Sequence, residues 1–262
     1  MEREQDVLVK YGLFGKDIGY SFSRGYFKEK FDKQGVKAQY VNFDVPNAAA
    51  MQEVLLAKSA VGYNVTIPYK QDIIPFLDRL DAHAAAIGAV NTVKTEDDST
   101  LTGYNTDYIG FRDSLLECFG ESHFCDFDKT VLSASSYKCL ILGTGGASKA
   151  VHYAMQQLGV DCTFVSRKRS NTSLQYEDLN EKIIKDHTFI VNTTPVGTFP
   201  KVEMAPAIPY QYLGDSHIVF DLIYNPEQST YLTKALQQGA QIINGFRMLE
   251  LQAEASWSIW NS

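Results

Sequence analysis

The stretch KCLILGTGGASKAVHYAMQQLG, Lys138 to Gly159, narrows the fold more than any other part of this chain. A short apolar run is followed by a glycine-rich turn and then by an amphipathic helix pattern. A strand that is apolar along its length is one covered on both faces, as in a parallel sheet with helices packed on it. Further runs of this kind follow at DCTFVSR, HTFIVNT and HIVFDLI. Upstream, KYGLFG, QYVNFDV and VGYNVTI also read as strands, rich in β-branched and aromatic residues. Between them RGYFKEKFDKQG predicts a helix stopped by Gly35, and PNAAAMQEVLLAK a helix with Pro46 near its start. GAVNTV and LTGYNT are spaced for a hairpin. The alternation predicts an α/β chain built on mostly parallel sheets.

The 262 residues suffice for one large domain or two ordinary ones, and 45% hydrophobic content is enough for a substantial core. ESHFCDFDKTVLSASSY, between the two strand-rich runs, is irregular and Ser-rich and reads as an insertion or linker. In the last segment, GFRMLELQAEASWSIW, Leu249, Ala253, Trp257 and Trp260 form one apolar helical face.

A net charge of −7 argues against a nucleic-acid or anionic-membrane surface, which needs clustered Lys and Arg. The four cysteines, Cys118, Cys125, Cys139 and Cys162, form no CxxC pair and the five histidines no HExxH, so no metal site is expected. Cys139 and Cys162 sit in apolar runs and read as buried thiols, suited to a reducing compartment. The segment MEREQDVLVK has no apolar signal core, and no run of about 18 apolar residues occurs. The expectation is a soluble cytoplasmic protein.

The turn Gly143-Thr144-Gly145-Gly146-Ala147-Ser148 lies between strand and helix, where glycines let a phosphate-bearing ligand approach backbone N–H groups at a helix N-terminus. The spacing is short of a full GxGxxG, and an ordinary strand-to-helix turn is the alternative. About 20 residues on, a carboxylate would favour the ribose 2′-OH of NAD. Here the chain reads Ser166, Arg167, Lys168, Arg169, cations suited to a 2′-phosphate. NADP is therefore the expected cofactor; a solvated cationic loop is the alternative.

Three stretches of the first half carry polar side chains where strands prefer none: NVTIPYK with Thr66 and Lys70, GAVNTV with Asn91 and Thr92, and GYNTDYIG with Asn105, Thr106 and Asp107. Asn-Thr pairs also cap turns, and Asp107 could simply begin a helix.

Taken with GTGGASKA, VNTTPVG, DLIYNP and GFRMLELQA, these stretches make seven ordered motifs in which the chain resembles the shikimate dehydrogenase family over nearly its whole length. The resemblance implies a substrate-binding α/β domain at 1–106 and a Rossmann-type NADP domain at 107–238, with the irregular 120–137 segment inside it. It also implies a C-terminal helix, 239–262, that returns to the first domain. The implied reaction is reversible NADPH-dependent reduction of 3-dehydroshikimate to shikimate, a step toward chorismate and the aromatic amino acids. By the family pattern Lys70 and Asp107 are the catalytic pair. Thr66, Asn91 and Gln252 would contact ring hydroxyls, and Ser21, Ser23 and Tyr224 the carboxylate. Gly143, Gly145, Gly146, Ala147, Ser148, Ser166, Arg167, Lys168, Asn192, Thr193, Thr194 and Gly245 would line the cofactor. Lys70 either protonates the developing alkoxide or stabilises it electrostatically, with water or Asp107 in the proton path.

The chain departs from the family in its first motif, GKDIGYSFSRGYFK, where both serines remain but Asp17, Tyr20 and Arg24 replace two prolines and a histidine. Quinate or another polyol acid is the alternative substrate, and a non-catalytic ligand-sensing homologue the alternative class. A homodimer is compatible with either.

Overall fold

The computed structural model describes residues 8–19, 21–119 and 137–262. Tyr20, Cys125 and all of the irregular segment except Tyr137 lie outside the described residues. By packing, the chain divides into two units, Met1–Thr106 with Ala253–Ser262, and Asp107–Gln252.

The first unit contains β1 (Val9–Gly15), α1 (Phe22–Gln34), β2 (Ala38–Asp44), α2 (Ala48–Leu56), β3 (Gly62–Val65), β4 (Arg79–Leu80), α3 (Ala82–Ile87), β5 (Thr92–Thr95) and β6 (Leu101–Tyr104). The strand order is β2-β1-β3-β5-β6-β4. β1 runs parallel to β2 and β3, but β5 is antiparallel to β3 and β6 to β5. The sheet is thus mixed. The turn from Glu96 to Thr100, closed by Glu96 N–H to the Thr100 carbonyl at 2.9 Å, reverses the chain and makes the expected hairpin.

Helix boundaries follow local chemistry. Gly35 ends α1 in the left-handed conformation, and the Asn47 and Asp81 side chains accept N–H groups at the starts of α2 and α3. α3, β4 and two later edge strands are too short to leave a periodic signal in the sequence.

The two faces of this sheet have separate cores. Phe14, Met51, Leu55, Tyr63 and Val65 pack together on one. On the other, Tyr11, Leu13, Phe27, Phe31 and Tyr40 meet Ala253 and Trp260 from the end of the chain. Phe27 stacks on Tyr40 with centroids 4.7 Å apart, and Trp260 lies 4.8 Å from Tyr11. The Trp260 indole N–H donates to the Val93 carbonyl at 3.0 Å. Lys30 and Tyr26 of α1 both hold Glu254, the ammonium at 2.6 Å.

The second unit has β7 (Lys138–Leu142), α5 (Gly146–Gln157), β8 (Asp161–Ser166), β9 (Ser173–Gln175), α6 (Glu181–Lys185), β10 (Phe189–Asn192), β11 (Ile218–Asp221), α7 (Thr230–Gln237) and β12 (Gln241–Ile243), preceded by α4 (Asp107–Phe119). All six strands are parallel, in the order β12-β11-β10-β7-β8-β9. This is the doubly wound dinucleotide-fold order, with its switch point between β7 and β10. Cys139 and Cys162 are free thiols on neighbouring strands; Cys139 is buried and Cys162 only partly so.

The last helix, α8 (Phe246–Trp260), is continuous, and the boundary between the units falls within it. The piece read from sequence as 239–262 therefore needs correction: Gln241–Ile243 is an edge strand of the second sheet, paired with β11. In the second unit α8 is fastened to α4 by Arg247, whose guanidinium takes both Glu117 carboxylate oxygens at 2.6 and 2.8 Å. Among the described residues no helix is long and apolar enough to cross a membrane, and no group of three or more His, Cys, Asp or Glu could hold a metal ion.

Trp260 is 8% exposed and touches both aromatic core residues and the β5 backbone. Trp260→Ala is expected to lower stability by about 3–5 kcal/mol, read as a fall in the urea unfolding midpoint.

Candidate active site

The motif NVTIPYK leaves the sheet at the end of β3. Side chains alternate along a strand, so Tyr63 and Val65 enter one core and Asn64 is forced to the other face. There it is 5% exposed and fully engaged. Its Oδ1 accepts from the Tyr40 hydroxyl at 2.8 Å, and the two protons of its Nδ2 are shared among the Asn91 carbonyl, the Thr92 hydroxyl and the Ser256 hydroxyl at 3.2, 3.2 and 2.9 Å. Burial pushes the Tyr40 hydroxyl's pKa far up, and a hydrogen bond from Ser23 only partly opposes this. Ser23, Tyr40 and Asn64 thus form a chain from α1 to β3.

The next two residues leave the strand. Thr66 is half-buried, with its N–H on the Phe14 carbonyl at 2.8 Å. The Tyr69 hydroxyl donates to the Val45 carbonyl at 2.7 Å, and the Lys70 carbonyl accepts from Val90 N–H at 2.7 Å. Lys70, half-buried, is therefore carried on a backbone braced on both sides.

Asn91 is 2% exposed. Its Oδ1 accepts Thr106 N–H at 2.6 Å and its Nδ2 donates to the Thr106 hydroxyl at 2.9 Å. Asn105 Nδ2 donates to the Ala89 carbonyl at 2.9 Å. The two Asn-Thr motifs hold each other, and the chain then enters α4 at Asp107, itself buried.

Ser21 precedes α1 and makes no side-chain capping bond, and Arg24 is exposed. Asp17 takes a positive φ of 56°, and its N–H and that of Ile18 are held by the Asp44 carboxylate at 3.0 and 3.2 Å.

In the second unit the glycine turn lies at the switch point. Gly143 has φ 116°, and a Cβ there would stand 2.7 Å from the Thr193 hydroxyl. That hydroxyl donates to the Leu142 carbonyl at 2.7 Å, bracing β7 against β10. Gly145 opens α5 without a side-chain cap, a Cβ on it would meet nothing within 4 Å, and the first turn carries no acid. Open space before uncapped helical N–H groups suits a phosphate. Arg167, Lys168 and Arg169 are exposed beyond β8, with Ser166 accepting from Lys168 N–H at 3.2 Å. The donors fit a phosphorylated dinucleotide.

Several expected cofactor residues turn their side chains inward. Ser148 is fully buried and donates to the Gly145 carbonyl at 2.6 Å. Asn192, also fully buried, donates to Asp221 Oδ1 at 3.0 Å and accepts Thr194 N–H and hydroxyl at 3.0 and 2.6 Å. A Cβ on Gly245 would run into the Leu222 carbonyl, so this glycine answers a close backbone approach inside the unit. Tyr224 is half-buried just after β11. Gln252 is 8% exposed, and its Nε2 donates to the Leu249 carbonyl of its own helix at 2.8 Å. His152 is an ordinary helix residue whose ring lies 5.1 Å from Phe164, its pKa lowered by burial.

The family model described as the shikimate dehydrogenase substrate binding domain matches residues 13–93. The shikimate dehydrogenase (NADP(+)) of Methanococcus maripaludis is 36% identical, covering 95% of this chain and 90% of its own. The chain belongs to the shikimate dehydrogenase family. Among solved structures, shikimate dehydrogenase of Aquifex aeolicus aligns with a TM-score of 0.81 at 32% identity, covering 97% of this chain and 92% of that one. The Listeria monocytogenes shikimate 5-dehydrogenase, in complex with shikimate and NAD, gives 0.81 at 28% identity, with 100% and 94% covered. The architecture is accordingly that family's: an N-terminal α/β substrate domain and a Rossmann-type dinucleotide domain.

Three residues absent from the sequence-based list carry the structure around these motifs: Tyr40, Asp221 and Ser256. Ser256 left a signal as a polar residue three positions after Ala253 on the apolar face of the last helix, and Asp221 as the carboxylate that opens DLIYNP; Tyr40 left none. Asp221 is buried at the end of β11, where Ser229 Oγ, Ile223 N–H and Asn192 Nδ2 all donate to it. Burial nevertheless raises its pKa from 3.8 to about 6.

Because the folded state holds the Asp221 proton more tightly than the unfolded chain, its contribution to stability is complete below the unfolded value and is lost as pH rises through about 6. Comparing wild type with Asp221→Asn, the advantage of wild type in urea unfolding is expected to be larger at low pH by about 2 kcal/mol between mildly acidic and neutral solution. An equal difference at both pH values would contradict the assignment.

Proposed function

We propose that this protein catalyses the reversible NADPH-dependent reduction of 3-dehydroshikimate to shikimate. The observation that carries this is the combination, in a chain 36% identical to a shikimate dehydrogenase (NADP(+)) over 95% of its length, of Lys70 on its braced turn and Asp107 at the head of α4. The reading places the protein in the cytoplasm, on a step toward chorismate.

Bound NADPH supplies the hydride. The backbone of Gly145, Gly146 and Ala147 would receive its pyrophosphate, and Arg167 with Lys168 its 2′-phosphate. The inward-turned side chains of Ser148, Asn192, Thr193 and Thr194 hold the shape of that cradle.

Negative charge develops on the substrate's ketone oxygen as reduction proceeds. The Lys70 ammonium stabilises it and delivers the proton. Asp107 is the acidic member of the catalytic pair. Thr66, Asn91 and Gln252 would contact ring hydroxyls. Ser21, Ser23 and Tyr224 receive the carboxylate, Ser23 by turning toward it the proton it otherwise gives to Tyr40.

The test is absorbance at the nicotinamide band with shikimate or quinate, each with NADP or NAD. Turnover fastest with shikimate and NADP is expected; preference for quinate, or for NAD, would overturn the corresponding half of the reading. Lys70→Met should lower kcat by about 100-fold or more while changing KM for shikimate little. Arg167→Ala should raise KM for NADP about tenfold and leave NAD-dependent turnover unchanged.

A further inference from the structure

We propose that Ser256, on the last helix, is a positioning residue for the reaction proposed above, on which this inference rests. Its side chain is fully buried within the first unit. It meets three motif residues at once: Asn64 Nδ2 at 2.9 Å, Thr92 Oγ1 at 2.8 Å and Thr106 Oγ1 at 3.1 Å. These come from the three stretches that carry the polar groups of the substrate domain, NVTIPYK, GAVNTV and GYNTDY.

A hydroxyl has one donor and two acceptor positions, which is the number this junction asks for. The amide N–H of Asn64 can only donate, so Ser256 accepts from it. Ser256 can then donate to one threonine and accept from the other. An alanine at 256 would leave the Asn64 amide and two threonine hydroxyls facing a buried methyl group.

The consequence reaches the reacting residues through the chain. Asn64 is two residues before Thr66 on the segment that ends at Lys70, and Thr106 immediately precedes Asp107. Thr106 is also held through its N–H and hydroxyl by Asn91. Ser256 thus fixes the origins of both segments without itself touching substrate. Gln252 lies one helical turn before it on the same helix. A shift of about 1 Å at reacting groups can cost 100-fold in rate.

The experiment is steady-state kinetics with 3-dehydroshikimate and NADPH on wild type, Ser256→Ala and Thr92→Val, together with urea unfolding of each. Thr92→Val removes a second hydroxyl of the junction and serves if Ser256→Ala does not fold. For each variant kcat is expected to fall by about 10- to 100-fold, with KM for NADPH within about twofold of wild type, and Ser256→Thr, which keeps the hydroxyl, should recover most of the loss. A variant that unfolds at lower urea but keeps wild-type kcat and KM has lost a structural contact only, and overturns the proposal. Wild type that reduces no 3-dehydroshikimate overturns the proposed function and this inference with it, an outcome distinct from a variant that matches an active wild type.

Discussion

The first unit depends on one buried amide. Asn64 stands at a strand position whose two neighbours point into an apolar core, so the pleat drives it into the opposite core. A polar group there is tolerated only when its hydrogen bonds are made, since an unmade one costs about 1–3 kcal/mol. Its partners come from β2, the β5 region and the last helix. Satisfying one side chain therefore ties together three strands and a helix, and a slip of any of them would break several bonds at once. Aromatic packing of Trp260, Tyr11, Phe27 and Tyr40 supplies attraction on that face, but it is non-directional. The amide and its hydroxyl partners decide the register.

The second unit solves a different problem with the same means. A parallel sheet whose order reverses at β7 and β10 leaves a crevice at its carboxyl end, and loops there must stay open to a ligand while their own polar groups are satisfied. Thr193 braces the two strands, and Asn192 and Asp221 pair beneath them. The raised pKa of Asp221 is the electrostatic consequence of placing that pair out of water. With these side chains turned inward, the crevice presents glycine backbone and an uncapped helix start.

Much of this was legible in the sequence. The strands β1, β2, β3, β7, β8, β10 and β11, the hairpin and the apolar stripe of the last helix follow from composition and period. Edge strands of two or three residues, such as Arg79–Leu80 and Ser173–Gln175, do not, because pairing partners rather than local pattern create them. Side-chain direction was legible least. Asn91, Ser148 and Asn192 stand in motifs that mark ligand sites, yet each directs its amide or hydroxyl to neighbouring backbone or side chains. Tyr40 reads as an ordinary strand aromatic until its hydroxyl is seen on Asn64.

The sequence alone determined the class of fold, the two strand-rich halves, the family and the cofactor's preferred charge, because periodicity, glycine placement and a run of cations are properties of neighbours along the chain. Only the tertiary structure decided that Asn64, Thr92, Thr106 and Ser256 share one hydroxyl junction, and that Asp221 lies beneath Asn192. Those partners are separated by up to 192 residues. The pairing energy of a buried polar group depends on which atoms fill the space around it, and folding alone determines that.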